Sequence, residues 1–177
     1  MEDIEYIRAS IPLLMFAFFA VLKSHKESTR KRYPDMKDVQ ISFLGAIISW
    51  FTMLIALILF TQLVIDPPAS LYMALFMLIL TSLMIVIALQ HLSYQLMFND
   101  QRLIVSHILG KAKQCQLSSV TEAKEKSYAN EGGSSRVVFL THAQGKIRVP
   151  ISMLGGQHHH ELNTLLNELL SNTKSAR

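Results

Sequence analysis

Three pairs of basic residues stand at i, i+2 spacing in the second half of the chain: Lys111/Lys113, Lys124/Lys126 and Lys146/Arg148. Side chains two apart on a strand project to the same side, so each pair is expected to form a doubly charged patch. Such patches suit the anionic surface of a bilayer, where each Lys or Arg contributes about 1 kcal/mol, or an acidic protein partner. Lysine is also an ordinary choice for the outward positions of a small sheet, so the pairs alone do not decide between these roles. Nucleic acid is not expected, because no aromatic stacking platform is interleaved with them.

Two other groups invite a chemical reading. His158, His159 and His160 are consecutive. Metal ligands on a helix stand three or four apart so that they share a face, and consecutive histidines point in three directions. Thr164 occupies the position where a helical metalloprotease needs its second histidine. The triplet therefore reads as a polar helix start with mild pH sensitivity, and no metal or cofactor is expected. A small membrane enzyme or metal-handling protein is the alternative that this triplet alone would support. Cys115, flanked by Gln114 and Gln116, lies on the apolar side of a strand pattern. It is expected to act as a small hydrophobe, and a single cysteine allows no internal disulfide. No phosphate loop, dinucleotide fingerprint or nucleophile elbow occurs, so a non-catalytic role is expected.

The elements that must position these residues follow from where charge is missing. The chain has 177 residues and a net charge of +4, yet residues 41–92 hold one charged side chain, Asp66, in 52 positions. The remaining positions carry charge at roughly the density of a soluble domain. Ile41–Ile65 and Leu71–Leu92 are uncharged runs of 25 and 22 residues, and about 20 residues cross the hydrocarbon of a bilayer. Between them, Asp66-Pro67-Pro68-Ala69-Ser70 cannot continue a helix. A transmembrane helical hairpin with a short turn is the expected result. Thr61, Thr81 and Ser82 can bond back to the preceding turn without any partner. Gly45 and Ser49 form a small-xxx-small pair, a weak packing signal. Trp50 sits well inside the first run, away from the edge where an aromatic belt would place it.

Lys23, Lys26, Arg30, Lys31, Arg32 and Lys37 precede the hairpin, Arg102, Lys111 and Lys113 follow it, and its turn has no Lys or Arg. The positive-inside rule then puts both ends in the cytoplasm and the Pro-Pro turn outside. Upstream, Ile11–Leu22 is a 12-residue apolar run, which fits an interfacial or re-entrant helix better than a span. Extended back to Ile4 it reaches 19 positions but includes Glu5 and Arg8. As a third span it would be consistent with the flanking charges, and a membrane-embedded N-terminal helix is favoured over a cleaved signal.

From Ser93 onward the pattern turns to period-two alternation, as in Tyr94, Leu96 and Phe98, then Leu103 and Val105, and later Ile147, Val149 and Ile151. Turn residues punctuate it at Asn99-Asp100, Gly110, Asn130-Glu131-Gly132-Gly133 and Gln144-Gly145. About six antiparallel strands are expected, with Pro150 at an edge or strand end. Residues 127–135 read as a long loop, and Gly155-Gly156 as the break before a helix. Leu162, Leu165, Leu166, Leu169 and Leu170 then give that helix one apolar face.

A hairpin, a strand meander and one terminal helix, in that order, resemble the bacterial PH-like (pleckstrin-homology-like) membrane proteins. The local match runs from Tyr94 to Leu117: an aromatic strand YQLMF, a polar turn NDQ, then RLIVSHILGKAKQCQLSSV, which leads into the polar segment Leu117-Ser118-Ser119-Val120. The resemblance implies a small α+β domain, a curved antiparallel sheet or barrel capped by the C-terminal helix, in a multi-pass protein of the bacterial cytoplasmic (inner) membrane. An anchor, a small domain and no catalytic constellation lead to the expectation of binding to a membrane or cytoplasmic protein partner, for which exposed sheet edges suit addition of a partner strand. Inositol-phosphate binding is not implied, because the turn after the first aromatic strand is short and carries Asp100. The expected organisation is a membrane-associated helix and basic linker over 1–40, the hairpin over 41–92 and a cytoplasmic domain over 93–177.

Overall fold

A computed structural model describes the backbone of residues 2–130 and 133–175 and the side chains of residues 12–128 and 135–173. The chain begins with one continuous helix, α1 (Glu2–Arg32), well beyond the 12 apolar residues that marked it. Next comes a short strand, β1 (Lys37–Ile41), where a basic linker was expected. Only Val39 of these five residues is fully buried, so the sequence offers too few apolar positions for a period to be visible.

Two long apolar helices follow, α2 (Phe43–Ile65) and α3 (Leu71–Ser93), joined through Asp66–Ser70. Both have the length and composition to cross a membrane. Only 22% and 11% of their most apolar stretches are buried, whereas the core helix of a soluble protein is mostly buried. Phe43, Leu71, Tyr72, Phe76 and Ile79 all lie in the open. What the helices bury is mostly small: Ser49 and Ala56 beside Met53 on α2, and Thr81, Ala88 and Ser93 beside Leu92 on α3. Small residues let helix backbones approach closely in an apolar setting. Ser49 Oγ donates to the Gly45 carbonyl at 2.9 Å and Thr81 Oγ1 to the Met77 carbonyl at 2.9 Å, so their hydroxyls are satisfied within the helix. Thr61 and Ser82 do the same. Trp50 is accounted for by α1: Phe18 meets it edge-on at 6.0 Å between ring centroids, and Phe19 lies at 6.3 Å.

The remaining strands are β2 (Gln95–Phe98), β3 (Arg102–Ser106), β4 (Lys113–Gln116), β5 (Val120–Asn130), β6 (Gly133–His142), β7 (Gly145–Pro150) and β8 (Leu154–Gly155), and the chain closes with α4 (His159–Ser175). The strands make two sheets, β4-β3-β2-β1-β8 and β5-β6-β7, with every pairing antiparallel. Among the described residues, seven strands follow Ser93 where about six were expected, and β1 adds an eighth from before the hairpin. The segment expected as a loop is the far end of the β5–β6 hairpin, paired from Ser127↔Arg136 to Asn130↔Gly133. Its polar composition hid the strands, because no apolar alternation marks them in the sequence. Glu131 and Gly132 of the expected turn lie outside the described residues. Of the expected Gly155-Gly156 break, Gly155 belongs to β8, where Leu154 and Gly155 pair with Ile41 and Gln40, and Gly156, at φ 95°, makes the turn before α4. A Cβ on Gly155 would stand 3.1 Å from the Ser42 Cα, so glycine permits that close pairing.

One core lies between the sheets and α4. Val39, Leu96 and Leu103 face Val138, Leu140 and Ile147 there, and Leu162, Leu166 and Leu170 of α4 close it. Arg136 clips the helix down: its guanidinium donates to both carboxylate oxygens of Glu125 (2.6 and 3.0 Å), to Asn163 Oδ1 (2.7 Å) and to Asn167 Oδ1 (2.6 Å). The opposite face of the first sheet is buried too, at Gln95, Met97, Ile104 and Ser106. The end of α1 covers it: His25 Nε2 lies 3.4 Å from Ser106 Oγ, and Lys26 lies near Asp38.

The connection between hairpin and sheet has almost no slack. Ser42 alone separates β1 from α2, caps that helix toward the Gly45 N–H, and donates its own N–H to the Met153 carbonyl at 2.8 Å. Tyr94 alone separates α3 from β2. Since β1 and β2 are paired neighbours, with Val39 opposite Leu96, the hairpin stands where a sheet would ordinarily have a turn.

Candidate functional site

The strand register decides which basic residues meet. Lys124 lies opposite Phe139 and Phe139 opposite Arg148; Thr141 lies opposite Lys146. Directly paired residues share a face of a sheet. Lys124, Lys126, Lys146 and Arg148 therefore stand on one face of the second sheet, two on each edge strand, with the half-buried Phe139 between them. Lys126 Nζ sits 5.8 Å from the centre of the Phe139 ring, within cation–π range. Lys124 bonds Glu122 at 2.8 Å and is the only one of the four in an ion pair among the described residues.

The pair Lys111/Lys113 is not on this face. Lys111 falls in the turn between β3 and β4, and only Lys113 enters a strand, so the period-two argument does not apply to it. That turn has a different setting. The Ile108 N–H donates to Ser93 Oγ at 3.1 Å, which holds the turn beside the last residue of α3. Leu109 at its tip is 48% exposed, an apolar side chain at the hairpin end of the domain.

A cleft of about 280 Å³ opens at the same end, between the two sheets and the last turn of α3. Lys113 and Arg148 contribute cations to it from opposite sheets, and His91 and His107 stand at its wall. Its apolar surface comes from Ile41, Val105, Ile147 and Met153. No carboxylate lines it. Tyr94, the single residue between α3 and β2, faces it with a hydroxyl that is buried and meets no hydrogen-bonding partner among the described residues. His107 Nδ1 is in the same condition. Burial pushes the Tyr94 phenol well above its ordinary range, with Arg148 pulling the other way. The phenol therefore stays protonated and able to donate.

The three histidines diverge, as their spacing requires. His158 Nδ1 approaches Glu161 at 3.3 Å, His159 Nε2 lies 3.4 Å from the Ile151 carbonyl, and His160 is exposed. Lys37 also pairs with Glu161, tying the start of β1 to the first turn of α4; Lys37, then His158, hold the Glu161 carboxyl below its ordinary value. Cys115 is 1% exposed within the core, and burial raises its thiol, the setting of a packing residue.

Sequence reasoning reached the four basic residues of the sheet face but could not bring them together, since that needs the register of three strands. It missed Phe139 as their centre, and it missed Tyr94 and His107 as cleft residues. The available signal was a tyrosine at the boundary between a long apolar helix and a strand, where a polar tip on an apolar body is expected to find a partner.

Compared with protein-family models, with curated proteins and with solved structures, the chain has no match.

Proposed function

We propose that the protein is a non-catalytic, multi-pass protein of the bacterial cytoplasmic membrane, carrying a PH-like domain on its cytoplasmic side that docks a protein partner and holds it in a membrane complex. The observation that carries this reading is the basic face of the second sheet, with four cations around one aromatic ring and the carboxylate of Glu122 paired to Lys124. An acidic segment with an apolar anchor fits such a surface. Arg148 lies by the cleft at the hairpin end, and Lys146 stands about 7 Å further along the strand. By register Lys124 stands level with Arg148 and Lys126 level with Pro150, so the face runs along the sheet from the hairpin end to Lys146, and its far end is open to a protein where lipid charge is screened over about 8 Å. Five strands on one side, three on the other and a terminal helix across the core support the PH-like architecture. The Lys and Arg residues flanking the hairpin support the orientation.

The test is affinity purification of the full chain from solubilised membranes, beside the triple variant Lys124→Glu, Lys126→Glu, Lys146→Glu. The wild type is expected to bring down a protein whose recovery the variant loses. A wild type that returns only itself, or a variant with the same captured protein, contradicts the proposal.

A second reading, anionic-lipid sensing, is favoured at a different place. Leu109 beside the end of α3, followed by Lys111 and Lys113, is the composition of a turn resting in the headgroup layer. The two readings use different residues and are compatible.

A further inference from the structure

We propose that the cleft at the base of the domain binds the phosphate of one anionic phospholipid from the cytoplasmic leaflet. The inference goes beyond partner docking and does not depend on it, although it does rest on α2 and α3 crossing the membrane.

Three features converge on that ligand. The first is position. Ile41 and His91 bound the cleft, one preceding the helix start at Phe43 and the other in the last turn of α3. A lipid headgroup beside the hairpin lies at the same level. The second is unfilled chemistry. Tyr94 Oη and His107 Nδ1 are buried polar atoms with no partner among the described residues. A buried group left without a hydrogen bond is destabilising, so such groups point to something that satisfies them. A phosphate oxygen accepts from a tyrosine hydroxyl and from an imidazole N–H, and Lys113 and Arg148 supply the opposing charge from either wall. The third is selectivity. Zwitterionic phospholipids carry an ammonium beside the phosphate, and a cleft lined by cations with no carboxylate has nothing to meet it. An anionic headgroup avoids that repulsion.

The apolar lining separates a lipid from a free phosphate ion. Ile41, Pro150 and Met153, the half-buried apolar residues of the lining, would remain against water around an inorganic anion, whereas the glycerol and the first methylenes of a lipid cover them. Leu109 at the neighbouring turn extends this apolar path toward the hydrocarbon.

The test uses the full chain in detergent. Phosphatidylglycerol, phosphatidylcholine and inorganic phosphate are added in parallel, and native mass spectrometry counts the molecules retained. One phosphatidylglycerol per chain is expected, with weaker retention of phosphatidylcholine and no effect of inorganic phosphate. The pair Lys113→Ala with Arg148→Ala is expected to weaken phosphatidylglycerol retention by about thirtyfold, as befits two headgroup contacts. Tyr94→Phe, which keeps the ring and removes only the hydroxyl, is expected to weaken it severalfold, and covers the case in which the paired variant fails to fold. Lys124→Ala with Lys146→Ala, outside the cleft, is expected to leave retention unchanged. Equal retention of both lipids, displacement by inorganic phosphate, undiminished binding in both cleft variants, or equal loss in the control variant would each overturn the proposal. Failure of lipid retention leaves the partner capture intact, so the two proposals fail separately.

Discussion

Arg136 and His25 carry the residue-scale predictions, because each holds two elements together. Arg136 makes four charge-assisted or amide contacts spanning β5 and α4. Its side chain is 28% exposed, so solvent screens part of that energy. Arg136→Ala should lower stability by about 1–2 kcal/mol, read as a drop in the thermal midpoint of the solubilised protein. Arg136→Lys should recover only part, because an ammonium cannot reproduce the fork that grips Glu125 while reaching two asparagines. His25 works through a proton. Burial, then the neighbouring His107 and Lys26, hold its imidazole below the ordinary value of 6.5. An unfolded chain takes up a proton near pH 6.5 that the folded chain refuses. Stability should therefore be full above that pH and fall as the medium acidifies below it. A thermal midpoint that declines over that range, and declines less in His25→Asn, is the expected pattern.

At the scale of elements, legibility followed apolar surface. The hairpin was readable because two runs longer than 20 residues lack charge, and α4 because its leucines recur at helical spacing. Leu162 and Leu166 are 0% exposed, so that spacing reported real packing. Leu166→Ala should cost about 2–5 kcal/mol and open the core at the α4 side, seen as faster amide exchange in β5 and β6. What the sequence concealed were elements whose stability comes from pairing instead of burial. β1 shows one buried apolar residue, β8 has two residues in all, and the outer half of the β5–β6 hairpin is polar. Backbone hydrogen bonds hold such strands, and they leave no periodic mark in side-chain types. The basic face was concealed for a related reason: its members are 24 positions apart at the widest, and only register joins Lys124 to Arg148 through Phe139.

For the whole molecule, the controlling feature is that the hairpin interrupts the sheet domain between paired strands. Ser42 and Tyr94 are the only residues between strand and helix, so a tilt of the hairpin is passed to β1 and β2 without a flexible joint. Inserting two glycines after Ser42 and two after Tyr94 should leave membrane insertion unchanged and lower the thermal midpoint of the domain, since the Ser42 contact to Met153 and the start of β2 would lose their fixed geometry. The same arrangement puts both junctions on one side of any membrane that α2 and α3 cross. The account stands on that placement. Single cysteines at Glu2, Pro68 and Ser175, introduced with Cys115→Ser and labelled in intact cells by an impermeant maleimide, test it directly. Pro68→Cys should label from outside and Ser175→Cys only after the membrane is opened, with Glu2→Cys reporting on which side α1 begins. Labelling of Ser175→Cys from outside, or protection of Pro68→Cys until the membrane is opened, would contradict the account.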